Sequence, residues 1–478
     1  MKKSFIIAAV LLLFSSTGNA TSVDSIFYGA FGKVIIYLPS KLPDAFVLFV
    51  SGDGGWNQGV VDMAKNIVAQ GALVVGIDIR HYFKNIKSLT SKCYYPAGDF
   101  EELSLKLQKK YKFEEYFKPI LVGYSSGATL VYGILAQAPA NTFKGAISLG
   151  FCPDIEVDRP LCSGSGLKSH VLKEGKSFYL ESCQKLSAPF VVLEGMIDQV
   201  CSYEDTKKYM QNIPDAELVS LQKVGHGFSV TKNWLPQYLS AYNKVLNEPG
   251  YVEKISSQNE LLKSQHLVPP DKDLPLILIP SSGSEDPPLA FFISGDGGWT
   301  SFDNSVCEKL AEKGMPVVGL DAQKYFWCEK QPGEASNDIS LAIQHYMQQW
   351  NRKLCVLIGY SFGACVIPFI ADYFPDSLKA TLRGIYCFSP SETGDFEIHV
   401  SDMLSIKTED RYNVPDEVEK IKALNPVCIF GDEEGTELRD HFSASGAKIE
   451  VLPGSHHYSD DFNAVSVIIF KDLSPGSQ

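Results

Sequence analysis

Past residue 20 the 478-residue chain contains no uninterrupted apolar stretch long enough for a membrane-spanning helix, which argues against a polytopic membrane protein. Its 11 cysteines and 9 histidines fall in none of the spacings that bind zinc, and neither a metal nor any other cofactor is expected. Positive charge is in short supply: 43 Lys and Arg stand against 56 Asp and Glu, a formal balance of −13. That deficit disfavours nucleic acid or an anionic bilayer as a preferred surface. It leaves a cationic substrate, or plain solubility, as the use of the acidity.

What is present begins with Met1-Lys2-Lys3, an apolar run from Phe5 to Phe14, and small residues at Gly18 and Ala20. This is the layout of a secretory signal peptide over residues 1–20, cleaved after Ala20. The run is short for a membrane span, and no Cys stands at the cleavage point to take a lipid. The mature chain is expected to be soluble and outside the cytoplasm, where disulfides form. Cys152 with Cys162, and Cys183 with Cys201, are close enough to be loop staples, although spacing leaves the connectivity open, and an odd total leaves at least one thiol unpaired within the chain. Cys355 and Cys365 read as buried apolar residues.

With 45% hydrophobic residues the chain can bury more than one core, and it is written twice. Ala45-Phe46-Val47-Leu48-Phe49-Val50 runs into Ser51-Gly52-Asp53-Gly54-Gly55-Trp56, and Leu289-Ala290-Phe291-Phe292-Ile293 runs into Ser294-Gly295-Asp296-Gly297-Gly298-Trp299, 243 positions later. The same offset relates Val74-Val75-Gly76-Ile77-Asp78 to Val317-Val318-Gly319-Leu320-Asp321, and Tyr82-Phe83 to Tyr325-Phe326. It then falls to 236 between Ser125 and Ser361, which places a seven-residue deletion in the loop holding Cys93 to Asp99. Co-linear matches of this kind indicate a tandem duplication.

In each copy, strand-length apolar runs alternate with helix-period segments. Val47–Val50, Leu73–Ile77, Ile120–Val122, Ala146–Leu149 and Phe190–Leu193 read as strands; Met63–Gln70, Glu101–Lys110 and Ala128–Ala136 read as helices. Strands apolar on both faces and separated by helices predict a mostly parallel sheet covered on both sides. The expected fold class is α/β, as two tandem α/β-hydrolase-like domains over residues 21–247 and 274–478. Residues 248–273 form a polar, Pro-punctuated linker in which Glu253–Leu262 could form a short helix.

The motif that organises both copies is G-x-S-x-G after an apolar run, Gly123-Tyr124-Ser125-Ser126-Gly127 and Gly359-Tyr360-Ser361-Phe362-Gly363. In an α/β-hydrolase this turn lifts a serine hydroxyl clear of the sheet edge. A serine needs a histidine base, and the base needs a carboxylate to hold its tautomer, in the chain order Ser, acid, His. The first copy supplies Asp198 and His226, and the second supplies Glu434 and His456. Asp198 and Glu434 each lie 73 residues after their serine, which selects Glu434 over Asp432 and Glu433, read as solvated loop charges. Adjacent side chains point opposite ways, so His457 is assigned to the pocket rim. Acyl transfer also needs oxyanion donors, expected from the backbone N–H groups of Asp53 and Ser126 in one copy and of Asp296 and Phe362 in the other. The Asp53 and Asp296 side chains are then spare to face a cationic group.

Taken together, the two Ser-Gly-Asp-Gly-Gly-Trp stretches, the two elbows, Tyr325-Phe326-Trp327, Phe396 to Asp402 and Pro453-Gly454-Ser455-His456-His457-Tyr458 resemble the bacterial virulence protein family of VirJ and the two-domain AcvB-type proteins. The resemblance covers essentially all of the mature chain and favours the tandem form. It implies a periplasmic serine hydrolase that releases lysine from lysyl-phosphatidylglycerol at the membrane surface, with activity in the second unit on Ser361, Glu434 and His456. It also implies a link to virulence and to type IV secretion components as partners. Two other readings use the same residues. One is a periplasmic binding or chaperone-like accessory of a type IV secretion system without catalysis. The other divides the work, with the first unit docking the lipid or partner and the second doing the chemistry, on the strength of the divergent regions Asp154–Lys173 and Asp395–Asp410.

Overall fold

The computed structural model describes residues 22–139, 142–184, 186, 188–214, 216–247, 274–281, 287–398 and 411–473. The expected signal peptide, the linker with its Glu253–Leu262 helix, and the part of Phe396–Asp402 beyond residue 398 lie outside the described residues. Strands β1 (Ser22–Tyr28), β2 (Gly32–Leu38), β3 (Ala45–Val50), β4 (Ala72–Ile77), β5 (Ile120–Tyr124) and β6 (Gly145–Leu149) come first. After a small three-stranded excursion, β7 (Asp154–Ile155), β8 (Ser169–Lys173) and β9 (Ser177–Leu180), follow β10 (Phe190–Gly195) and β11 (Ala216–Leu221).

The later chain forms β12 (Leu276–Ile279), β13 (Leu289–Ile293), β14 (Val317–Leu320), β15 (Cys355–Tyr360) and β16 (Leu382–Phe388). The short pair β17 (Thr393–Gly394) and β18 (Tyr412–Asn413) precedes β19 (Val427–Gly431) and β20 (Lys448–Leu452).

These strands make two large sheets in the orders β1-β2-β4-β3-β5-β6-β10-β11 and β12-β14-β13-β15-β16-β19-β20. From β4 onward in the first and β14 onward in the second, every neighbour is parallel. The two orders match strand for strand except for β1, an antiparallel edge strand that the sequence reading did not include. Helices cover both faces, because alternate residues of each strand point to opposite sides: Phe46, Leu48 and Val50 of β3 enter one apolar cluster, while Ala45, Val47 and Phe49 enter another. The second sheet has the same pair of cores. Each is the α/β-hydrolase fold, an α/β class in two sheet-bearing domains.

The expected first-copy strands and helices all form, the helices as Gln58–Val68, Pro96–Lys110 and Ser126–Gln137. The deletion falls earlier than expected. The helices opening at Pro96 and at Pro332 already stand 236 positions apart, so the missing residues precede Pro96, and Pro96 to Asp99 are helix rather than loop. The Ser-Gly-Asp-Gly-Gly-Trp stretch also acquires a packing reason. A Cβ on Gly76 would sit 2.1 Å from the Trp56 ring, and one on Gly319 2.2 Å from that of Trp299, so each indole occupies space that only glycine leaves.

The two halves touch largely through one turn of the second, and Lys109 of the first also pairs with Glu397 at 3.9 Å. Lys324, 7% exposed, pairs with Asp321 at 2.9 Å in its own half and with Glu101 of the first at 2.6 Å. Trp327 donates its indole N–H to Phe113 O at 3.2 Å and packs against Tyr116 with Lys109 over its ring. Among the described residues no helix is long and apolar enough to cross a membrane.

The disulfides are not the expected ones. Cys93 pairs with Cys162 and Cys152 with Cys201, while Cys183 is buried and belongs to neither bridge. Closeness in sequence was a poor guide because β6 and β10 are neighbours in the sheet, which carries the loops after them together across 49 residues of chain. Cys355 and Cys365 are buried, as expected, and belong to neither bridge.

Candidate active site

β5 ends at Tyr124, and the chain turns through Ser125 with φ 55° and ψ −125° into the helix Ser126–Gln137. Positive φ at a residue with a side chain is strained and persists only where its surroundings demand it. Here the flanking glycines allow it. A Cβ on Gly123 would lie 2.1 Å from Gly127 O, and one on Gly127 2.5 Å from Ser51 O.

The turn delivers Ser125 Oγ to His226 Nε2 at 2.9 Å, and His226 Nδ1 stands 2.8 Å from Asp198 Oδ2. With the proton on Nδ1 donated to Asp198, Nε2 is free to accept the serine hydrogen. Asp198 is held from below: its Oδ1 accepts the N–H groups of Val200 at 2.8 Å and Cys201 at 2.9 Å, and Cys201 is tied by its disulfide to Cys152 beyond the end of β6. The three residues expected from the first copy therefore converge, although 101 positions separate Ser125 from His226.

The Ser51–Trp56 loop lies against the serine, since a Cβ on Gly52 would come within 2.9 Å of Ser125 Cβ. Neither Asp53 nor Ser126 uses its amide in a backbone hydrogen bond among the described residues, which leaves both N–H groups for an oxyanion. The Asp53 side chain is not spare, contrary to expectation: its Oδ1 accepts the Ser126 hydroxyl at 2.6 Å. An open cleft of about 450 Å³ sits over the triad, bounded by Asp53, Asn57, Met63, Tyr124 and Val200 as well as Ser125 and His226.

The second copy is built alike but is not closed. Ser361 repeats the turn with φ 52° and ψ −114°. His456 Nδ1 meets Glu434 Oε1 at 3.0 Å, so His456 and not His457 faces the acid; His457 takes the Tyr360 hydroxyl at 2.9 Å and packs on Phe302. Burial raises Glu434, but the hydrogen bonds from His456, Gly431 and Ser389 outweigh it and hold the carboxyl below its ordinary value. Among the described residues, however, Ser361 Oγ makes no hydrogen bond, to His456 or to any other group. The His456 side chain is 43% exposed against 18% for His226, and its ring is correspondingly less confined.

The oxyanion loop differs too. Phe362 replaces Ser126 and has no hydroxyl for Asp296, whose carbonyl is held instead by the Gln323 amide at 3.1 Å. Asp432 is an exposed loop charge, as expected, and its Oδ1 in addition accepts the Gly454 N–H at 2.8 Å, which joins the acid loop to the histidine loop.

Three supporting residues escaped the sequence reading. Glu194, fully buried at the end of β10, accepts the Phe151 N–H at 2.8 Å beside Asp198. Ser389 donates to Glu434 Oε2 at 2.8 Å and lies 2.7 Å from the Tyr458 hydroxyl. The signal for Glu194 was a carboxylate closing an otherwise apolar strand; Ser389 and Tyr458 offered none. Among the described residues no cluster of His, Cys, Asp and Glu is arranged to hold a metal.

A family model described as Bacterial virulence protein (VirJ) matches residues 44–149 and 288–476. Solved structures similar to this chain include the esterase domain of a Rhodothermus marinus protein (16% identity, TM-score 0.33, 47% of this chain and 98% of that one). A dienelactone hydrolase from Anabaena variabilis is similar at 15% identity and TM-score 0.34, over 47% of this chain and 96% of that one. An alpha-beta serine hydrolase homologue from Coxiella burnetii is similar at 15% identity and TM-score 0.31, over 47% and 95%. No curated protein sequence matches the chain.

Proposed function

The chain belongs to the bacterial virulence protein (VirJ) family, and on that premise we propose that it is a serine-dependent ester hydrolase acting on the aminoacyl ester of lysyl-phosphatidylglycerol. The observation that carries the hydrolase reading is the hydrogen-bonded relay Ser125–His226–Asp198, at 2.9 and 2.8 Å, beside two unused amides. His226 Nε2 takes the Ser125 proton as Oγ attacks the ester carbonyl, and Asp198 steadies the imidazolium. The Asp53 and Ser126 N–H groups receive the oxyanion. Collapse of the tetrahedral intermediate expels the alcohol, which leaves with the proton from His226, and water then releases the acyl group by the same steps in reverse order.

The substrate is supported by the family resemblance, by the acidic balance of −13, and by the rim of the cleft. Val200 lines the cleft, and with Met196 and Ile197 on the same loop that carries Asp198 it is an exposed apolar side chain of the kind that suits an amphiphilic ester. The setting that fits this chemistry is the periplasm, on the outer leaflet of the inner membrane, reached by the signal peptide. The two halves have different standing in this proposal. Ser125 is the serine poised for attack, whereas Ser361 acts only after His456 swings onto it, which reverses the emphasis that the resemblance placed on the second unit.

The test is labelling with a fluorophosphonate, together with release of free lysine from lysyl-phosphatidylglycerol vesicles, by wild type, Ser125→Ala and Ser361→Ala. Ser125→Ala is expected to lose most of both signals and Ser361→Ala to keep most. No labelling of any form would leave the accessory role in secretion as the better reading, and equal losses would exclude a division of labour.

A further inference from the structure

The acid of the first triad has a second carboxyl beside it. Glu194 lies four positions before Asp198, at the end of β10, and is 0% exposed. Its Oε2 accepts the Phe151 N–H, but its Oε1 meets no donor among the described residues. What it faces is the Asp198 carboxylate, whose oxygens are already committed to the Val200 and Cys201 amides and to His226. Two carboxylates have only acceptors to offer each other and repel where no water separates them; one proton turns the clash into an O–H···O hydrogen bond.

We propose that Glu194 is a positioning residue of the first site, which carries a proton at neutral pH and donates it in a hydrogen bond to Asp198, keeping Asp198 Oδ2 on His226 Nδ1. This rests on the reading of Ser125 as the working nucleophile. Burial, and after it the Asp198 charge, push the Glu194 carboxyl up to about 8 against the pull of the Phe151 and Gly195 amides. The other groups around it are neutral or remote. β11 sets Ser220 in register beside it, and the helix Tyr203–Met210 contributes the Thr206 hydroxyl, which bonds Phe151 O. His226 lies beyond Asp198.

The second half supplies an internal contrast. Phe430 precedes Gly431 where Glu194 precedes Gly195, and the extra hydrogen bond to the acid comes from the Ser389 hydroxyl, which does not titrate in the working range. The first site alone therefore carries a proton that alkali removes. Folded Glu194 keeps its proton up to about 8, while the unfolded chain releases it near the ordinary value of 4.5. Its contribution to stability is thus whole below that ordinary value and is lost as pH rises through about 8.

Two variants test this on p-nitrophenyl acetate. Glu194→Leu removes the donor and is expected to lower kcat about tenfold with little change in KM, the size of effect one lost hydrogen bond produces. Glu194→Gln supplies a donor that never ionises. It is expected to recover most of that loss and to lack the descent in kcat that wild type shows above a pH of about 8. Urea unfolding of wild type and Glu194→Gln from the ordinary value of 4.5 to about 8 reads the proton without catalysis, and only wild type should lose stability through that window. Diverging unfolding curves with no ester turnover in any form would keep the protonated carboxyl and overturn the hydrolase reading. Coincident pH dependences of the two proteins in both measurements would overturn the inference and leave that reading standing.

Discussion

The Ser126 hydroxyl donates to Asp53 Oδ1 at 2.6 Å, which ties together the two residues whose amides border Ser125. The elbow and the loop after β3 thereby hold one another, and the oxyanion donors are set before substrate arrives. Ser126→Ala keeps its own N–H but frees the Asp53 loop. It is expected to lower kcat on an activated ester by about three- to tenfold with KM nearly unchanged, because the loss is of transition-state stabilisation. A rise in KM alone would show that the contact serves binding instead.

The Cys152–Cys201 disulfide reaches Asp198 directly, through the Cys201 amide on its Oδ1. Replacing both cysteines by serine is expected to destabilise the first half by up to about 4 kcal/mol, the loop-entropy figure for a bridge of this span. Fluorophosphonate labelling of Ser125 should slow in the same variant, while any labelling of Ser361 stays unchanged, since both bridges lie in the first half. Calorimetry and labelling on the oxidised variant pair check the two effects separately.

Lys324 is a buried charge that joins the halves, set between Asp321 and Glu101 with little access to water. Lys324→Met leaves two carboxylates facing each other, one of them almost fully buried, and is expected to cost about 3 kcal/mol or more. Because the contact spans the interface, calorimetry should show the unfolding endotherm separate into two transitions. A single transition shifted to lower temperature would mean that the pair supports the second half alone.

Asp78 caps the helix Ile79–Ile86, accepts the Trp56 amide at 3.2 Å and pairs with Arg80 at 2.7 Å. Burial opposes ionisation, but the hydrogen bonds from Arg80 and the Trp56 and Arg80 amides outweigh it and bring the carboxyl down to about 2 from 3.8. The sign follows: the folded chain holds the proton less tightly, so this contribution is whole above about 3.8 and is lost as pH falls toward 2. Asp78→Asn should therefore be less stable than wild type at neutral pH, with the gap closing through that acid window in urea titrations.

The amino-acid order by itself determined the fold and the local geometry of each half. Glycines flanking a serine after an apolar strand admit only a tight strand-to-helix turn, and alternating strand and helix periods demand a parallel sheet with two covered faces. Matching spacings also marked Asp198, His226, Glu434 and His456, because equal chain lengths between the same elements deliver residues to the same loops. Only the tertiary structure decided that Cys152 meets Cys201, that Glu194 lies buried against Asp198, and that Ser125 reaches its histidine while Ser361 does not. Those outcomes depend on which loops the sheet order makes neighbours and on approaches of an ångström or less, and no local pattern of residue types encodes either.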